Sequence, residues 1–260
     1  MLVAAAFCPH PPMLVPGVGV GPTGELGALR VACDAAVVAM LATEPLLVVV
    51  VGTADAVGPA SGPVVLPAGP NGRRPRPSLA LAVGHWLLTR ASDQRRESEP
   101  RSQQDRPDQL DPLLFGVESD ASTARCLALG AALADRSERV AMLVMGDGSA
   151  RRSAKGPAGL NPEAEPFDRT VEDALRHTDI AALAALDPDG AERLLVAGRA
   201  PWQVLAGAAT GDLTWRSQVA WVGSPYGVTY LVATWLRDVQ LEKLEQSDPV
   251  EQSDPVEQSD

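Results

Sequence analysis

The chain has 260 residues, 45% of them apolar and 21% charged, enough to bury a full core in one large domain or two small ones. Its net charge is −11, of which −6 falls in residues 241–260 (seven acids and one Lys), leaving an ordinary −5 on the other 240 residues. That balance excludes a nucleic-acid footprint, since the Arg73-Arg74 and Arg151-Arg152 pairs are too short to track a phosphate backbone.

Three widely spaced cysteines, Cys8, Cys33 and Cys126, exclude a disulfide framework and a CxxC zinc pattern, and fit a reducing, cytoplasmic setting. The apolar runs are strand-length, so neither a membrane span nor a signal peptide is expected.

In chain order, Leu2–Phe7 reads as a short buried strand ended by proline, followed by a Pro/Gly-rich loop over 8–23. Thr23 caps a helix predicted to run to about Thr43, where Pro45 stops it. Leu46–Val51 is a β-branched run of the kind buried on both faces of a parallel sheet, and Gly52-Thr53-Ala54-Asp55 is its exit loop. A short strand is predicted at Val64–Leu66 and a helix at Ser78–Thr89.

The almost wholly polar stretch 91–111 reads as an exposed mobile loop. Ala121–Arg136 is a predicted helix, Val140–Met145 the next buried strand, and Gly146-Asp147-Gly148-Ser149 its exit loop. Helices follow at Asn161–His177, Ile180–Leu186, Gly190–Val196 and Pro201–Ala209. Two closing strands, Ser217–Val222 and Val228–Thr234, flank the turn 223–227. Alternating buried strands and helices predict a single α/β domain over 1–238, with a largely parallel central sheet flanked by helices. The repeat "EQSDPV" lacks the apolar content to fold, so 239–260 reads as an acidic disordered tail.

Several residues at predicted strand ends carry chemistry. His10 sits between prolines in "CPHPP", and Asp55 and Asp147 also lie just past strands, where open α/β sheets place their sites. One His and two carboxylates suit a divalent metal, and suit equally a general acid/base site without metal. Asp147 and Ser149 are the catalytic candidates; His10 and Asp55 are the metal-ligand candidates. Ser149 is not in a Gly-x-Ser-x-Gly elbow. Cys8 reads as a buried inert thiol, His85 and His177 as structural, and Trp202, Trp215, Trp221 and Trp235 as core or interface anchors.

Three stretches together, "HPP" at 10–12, "MGDGSARRSAKGPAGLNPEAEPFD" at 145–168 and "SPYGVTYLVA" at 224–233, resemble the class III extradiol ring-cleavage dioxygenases, the LigB-like superfamily that includes the Memo proteins. The resemblance spans roughly 1–238. It implies a LigB-like α/β fold, an Fe(II) held by two His and one Glu, a further His as acid/base, and a homodimer. His10 matches the first ligand. The second ligand His falls in the turn 52–55, which has none, and the acid/base His falls on Ala150. The Glu falls near 194–202, where Glu192 is the closest acid.

Two functions are therefore carried forward. One is a diverged oxidoreductase-like enzyme of that superfamily, acting on a small aromatic or related molecule with Fe(II), another divalent metal or no cofactor. The other is a catalytically inactive relative acting as a binding or scaffold protein. A small-molecule ligand is the expected partner, with neither nucleic acid nor membrane.

Overall fold

The structure, a computed structural model, describes residues 1–18, 26–55, 58–59, 78–98, 111–156, 158–211 and 214–238. The strands are β1 (Leu2–Cys8), β2 (Leu47–Thr53), β3 (Gly58–Pro59), β4 (Leu113–Val117), β5 (Val140–Met145), β6 (Trp215–Gly223) and β7 (Tyr230–Arg237). The helices are α1 (Gly27–Ala42), α2 (Leu79–Ser98), α3 (Thr123–Ala134), α4 (Ala164–His177), α5 (Ile180–Ala184), α6 (Pro188–Arg193) and α7 (Arg199–Ala208).

The strands form one sheet in the order β3-β4-β2-β5-β1-β7-β6. Its centre, β4, β2, β5 and β1, is parallel; β7 and β6 continue it antiparallel. The expected α/β fold with a largely parallel core is thus formed. The first and last strands are neighbours, so the described chain closes on itself as one domain.

The central strands are apolar along their whole length because both faces are covered. Ala4, Ala6, Cys8, Val48, Val50, Leu143 and Met145 face a core built with α1 and α2. Phe7, Val49, Val51, Met142 and Val144 face a second core built with α3 to α7. There Trp235 is fully buried, donates from Nε1 to the Leu175 carbonyl at 2.8 Å, and packs edge-on against Phe7 with centroids 5.2 Å apart. Helices α3 and α7 touch backbone to backbone: a Cβ on Gly130 would lie 1.8 Å from the Val204 oxygen.

Two expectations change. Residues 91–98 are helical, not loop: α2 runs on to Ser98. Gln94, Arg95, Arg96 and Glu97 are good helix formers, and the helix is tied to α1 by Arg90 Nε on both Asp34 oxygens at 2.9 Å and by Arg95 Nη1 on the Leu41 carbonyl at 2.7 Å. β4 was not expected. It is five residues long with a glycine, Gly116, at its fourth position, and it is held by parallel pairing with β2, a non-local cause that a short apolar run does not announce. The Thr23 cap, the Val64–Leu66 strand, the rest of the polar stretch over 99–110 and the acidic tail from 239 onward lie outside the described residues. No helix among the described residues is long and apolar enough to cross a membrane.

Candidate functional site

The two central parallel strands β1 and β5 end side by side, and their exit loops carry His10 and Asp147. Strand alternation puts both on the α1/α2 face, since Cys8 and Met145, two residues earlier in each strand, pack there. The loops are tied by Gly146 N–H donating to the Cys8 carbonyl at 3.0 Å and His10 N–H donating to Asp147 Oδ1 at 2.8 Å. The His10 ring then lies with Nδ1 3.4 Å from the same Oδ1.

That separation is ion-pair range but not an aligned hydrogen bond, and Nδ1 is a buried nitrogen with no other partner. The two side chains are only 10% and 15% exposed. Arg30 of α1 fixes the loop behind His10 by donating to the carbonyls of Leu14 (2.7 Å) and Met13 (2.9 Å).

Burial pushes the Asp147 carboxyl up from its ordinary value, partly offset by the His10 ring and the His10 N–H. Tyr230, the first residue of β7, lies on the same face. Its hydroxyl is pushed far up by burial first, then by Asp147 and Tyr226, so it stays a neutral phenol. Cys8 and Cys33 are buried free thiols below the dyad. Cys33 is raised well above its ordinary value by its hydrogen bond with Cys8, by burial and by the charges of Asp34 and Asp147, which makes it a poor nucleophile.

Ser149 is fully buried and does something different from the role expected of it. Its Oγ donates to the Leu194 carbonyl at 2.8 Å and accepts from Arg151 N–H at 3.0 Å. Its N–H donates to Asp168 Oδ1 at 2.8 Å. The hydroxyl is spent on holding the loop, so the catalytic expectation for Ser149 is corrected to a structural one.

Asp55 does not join the site either. It is exposed, and β2 continues its ladder through Ala54 N–H on the Val117 carbonyl (2.9 Å), so alternation carries Asp55 toward the face of Val49 and Val51, opposite His10. His85 lies on α2, where burial lowers its pKa against the opposing effect of Asp111. His177 is at the exposed end of α4 with Nδ1 2.9 Å from the Asp173 carbonyl.

Among the described residues no group of three or more His, Cys, Asp or Glu side chains is placed to hold a metal ion. The three-sided face that a non-haem iron needs is not formed by His10, Asp55 and Asp147, and the donor set does not fit the cofactor that the resemblance implies.

Sequence reasoning missed Asp168, Thr229 and Tyr230. Asp168 is 3% exposed and joins the site loop to β7: besides Ser149 N–H it accepts from Thr229 Oγ1 at 2.6 Å and Arg152 Nη1 at 3.2 Å. Thr229 in turn exchanges backbone bonds with Gly148 (2.8 Å) and Ser149 (2.9 Å). All three lie within the stretches 145–168 and 224–233, so the signal was present as a motif without a role. The described surface also has two open grooves, on the outer sides of α4 (around Glu165 and Arg169) and α2 (around Trp86 and Asp93). Both are charged helix surfaces lined by neither His10 nor Asp147, and the burial and paired titratable groups of the dyad make it the stronger candidate.

No family model and no curated protein matches the chain. Among solved structures it is similar to an uncharacterized protein of Escherichia coli K12, with 16% identity, 90% of this chain and 99% of that chain covered, and a TM-score of 0.49.

Proposed function

We propose that this chain is a diverged relative of the class III extradiol dioxygenases that binds a small phenolic molecule and moves its proton with a His–Asp dyad, in place of a three-sided metal face. The observation that carries this reading is the buried approach of His10 Nδ1 to Asp147 Oδ1 at 3.4 Å, at the ends of the two central strands. An acid that faces Nδ1 fixes the ring and leaves Nε2 as the nitrogen that meets a ligand. A contact slightly beyond hydrogen-bond length in a ligand-free site tightens when charge develops on the ring. The carboxyl of Asp147, raised by burial, is stabilised as an anion at the moment His10 takes a proton.

The test is a spectral titration with 4-nitrocatechol, whose absorbance changes on ionisation, in protein purified without chelator and again after chelation, beside elemental analysis. Ionisation of the probe on binding, retained after chelation and lost in His10→Ala, is the expected result. Binding that disappears with a stoichiometric metal, or that survives in His10→Ala, overturns the dyad. Tight binding without ionisation supports the binding-protein function instead.

A further inference from the structure

Among the described residues four that are not glycine have a left-handed backbone: Glu44, Thr178, Leu195 and Tyr226. Three of them follow helices, where a left-handed residue is the ordinary way to end. Their closing bonds run back into α1, α4 and α6: Glu44 N–H to Leu41 O (3.1 Å), Asp179 N–H to Ala174 O (2.9 Å) and Val196 N–H to Ala191 O (2.8 Å).

Tyr226 has no such excuse. It sits between β6 and β7 with φ 61 and ψ 15, followed by Gly227 at φ 78, and Val228 N–H closes the turn on the Pro225 carbonyl at 3.3 Å. Two successive left-handed residues in a four-residue hairpin turn are the type I′ arrangement, which takes Asn, Asp or Gly at its first central position. A bulky residue there is strained, and strain of this kind persists only where the surroundings impose it.

The surroundings do impose it. Arg152 N–H donates to the Gly227 carbonyl at 3.1 Å, and Ser224 Oγ and Thr229 Oγ1 share a hydrogen bond of 2.9 Å. A Cβ on Gly227 would come within 3.0 Å of the Ser153 side chain. Through Thr229 and Asp168 the turn is fastened to the loop that carries Asp147. Gly148, the neighbour of Asp147, donates its N–H to the Thr229 carbonyl at 2.8 Å, three residues beyond Tyr226, and Tyr226 itself is 43% exposed.

We propose that Tyr226 is a ligand-contacting residue of the His10–Asp147 site, held in a strained turn so that its ring offers a flat face to the molecule entering it. This rests on the reading of the dyad as the site. It has a signature that a purely structural turn lacks. Tyr226→Gly places at a left-handed position the residue that adopts it freely, so it relieves the strain while removing the ring.

The experiment measures 4-nitrocatechol affinity and Tm for the full chain, Tyr226→Gly, Tyr226→Phe and His10→Ala. For Tyr226→Gly a Tm higher by about 2–4 °C is expected, with affinity weaker by about ten-fold. Tyr226→Phe, which keeps the ring face, stays within about three-fold of the parent. If Tyr226→Gly binds like the parent while His10→Ala does not, Tyr226 is not a contact and the dyad stands. If Tyr226→Gly loses Tm and affinity together, the turn is structural and the inference fails. If the parent does not bind the probe, both readings fall.

Discussion

Asp168→Ala tests whether the site loop is held as described. The substitution removes one acceptor from three donors: Ser149 N–H at 2.8 Å, Thr229 Oγ1 at 2.6 Å and Arg152 Nη1 at 3.2 Å. They do not suffer equally. Arg152 keeps Glu165 at 3.7 Å and is 21% exposed, so solvent and a second acid replace much of what it loses. Thr229 keeps Ser224 Oγ at 2.9 Å. Ser149 is fully buried and its N–H has no other acceptor, so it bears the full cost of an unmade bond to a buried group.

Burial of the carboxyl offsets part of this, because desolvation outweighs the three bonds and pushes the Asp168 pKa up. One orphaned buried donor, one weakened charged contact and a small void sum to about 3 kcal/mol. Asp168→Asn retains a carbonyl for Ser149 and should cost about 1 kcal/mol. Urea unfolding at neutral pH reads both as shifts in midpoint at constant slope. An Ala variant within about 1 kcal/mol of the parent would refute the assignment of Ser149 N–H to Asp168; equal losses in the Asn and Ala variants would show that charge, rather than the acceptor, is what matters.

Gly130→Ala should cost more than any substitution at the site, because its Cβ would meet backbone, the Val204 oxygen, at 1.8 Å. A loss above about 3 kcal/mol in the same unfolding assay is expected, and a well-folded variant would show that α3 and α7 are not packed this closely. Asp147 and Asp168 together set a pH dependence with an unusual sign. Both folded pKa values are raised by burial, so their contribution is fully present below the ordinary aspartate value of about 4 and is lost as pH rises through the raised folded values. Acidifying toward that range should therefore stabilise the protein through these two groups, and Asp147→Asn should raise the neutral-pH midpoint while abolishing ionisation of the probe. A midpoint that falls at neutral pH and is unaltered at pH ~4 would contradict the sign.

The fold was legible where local pattern and burial agree. The segments read as strands at Leu46–Val51 and Val140–Met145 form β2 (Leu47–Thr53) and β5, since each is a short, wholly apolar run, Val-rich in β2, bounded by polar or turn residues. Residues 91–98 were not, because a polar helix held by Arg90 and Arg95 shows no apolar stripe. The site was half legible. His10 and Asp147 stand at strand ends, and strand parity relates them: each is two residues beyond a side chain on the same face. The same parity counted along β2 separates Asp55 from them, and this can be read from the sequence once the strand's buried residues are known. Ser149 could not be judged in advance, because its partners Leu194 and Asp168 are remote in the chain.

Four features that cost stability meet in one place. The surrounding scaffold is built of apolar strands and backbone-close helices, with Trp235 Nε1 on the Leu175 carbonyl, although His85 Nδ1, Arg199 Nε and Trp215 Nε1 are also buried without a hydrogen-bond partner. Against it stand two buried carboxyls with raised pKa, a buried imidazole nitrogen without an aligned partner and a tyrosine in a glycine conformation. All four belong to the loops leaving β1 and β5, the turn entering β7, or the Asp168 bridge between them. A sequence free to relax would replace Asp147 by Asn, which keeps an acceptor for His10 N–H, and Tyr226 by Gly, which adopts a left-handed backbone freely. That both costs are retained within one hydrogen-bonded unit, at the ends of the two central strands, supports the site proposed above, since local inconsistency of this kind gathers at functional positions. It distinguishes this corner from Ser149, whose every polar atom is matched and which therefore has nothing left to offer a ligand.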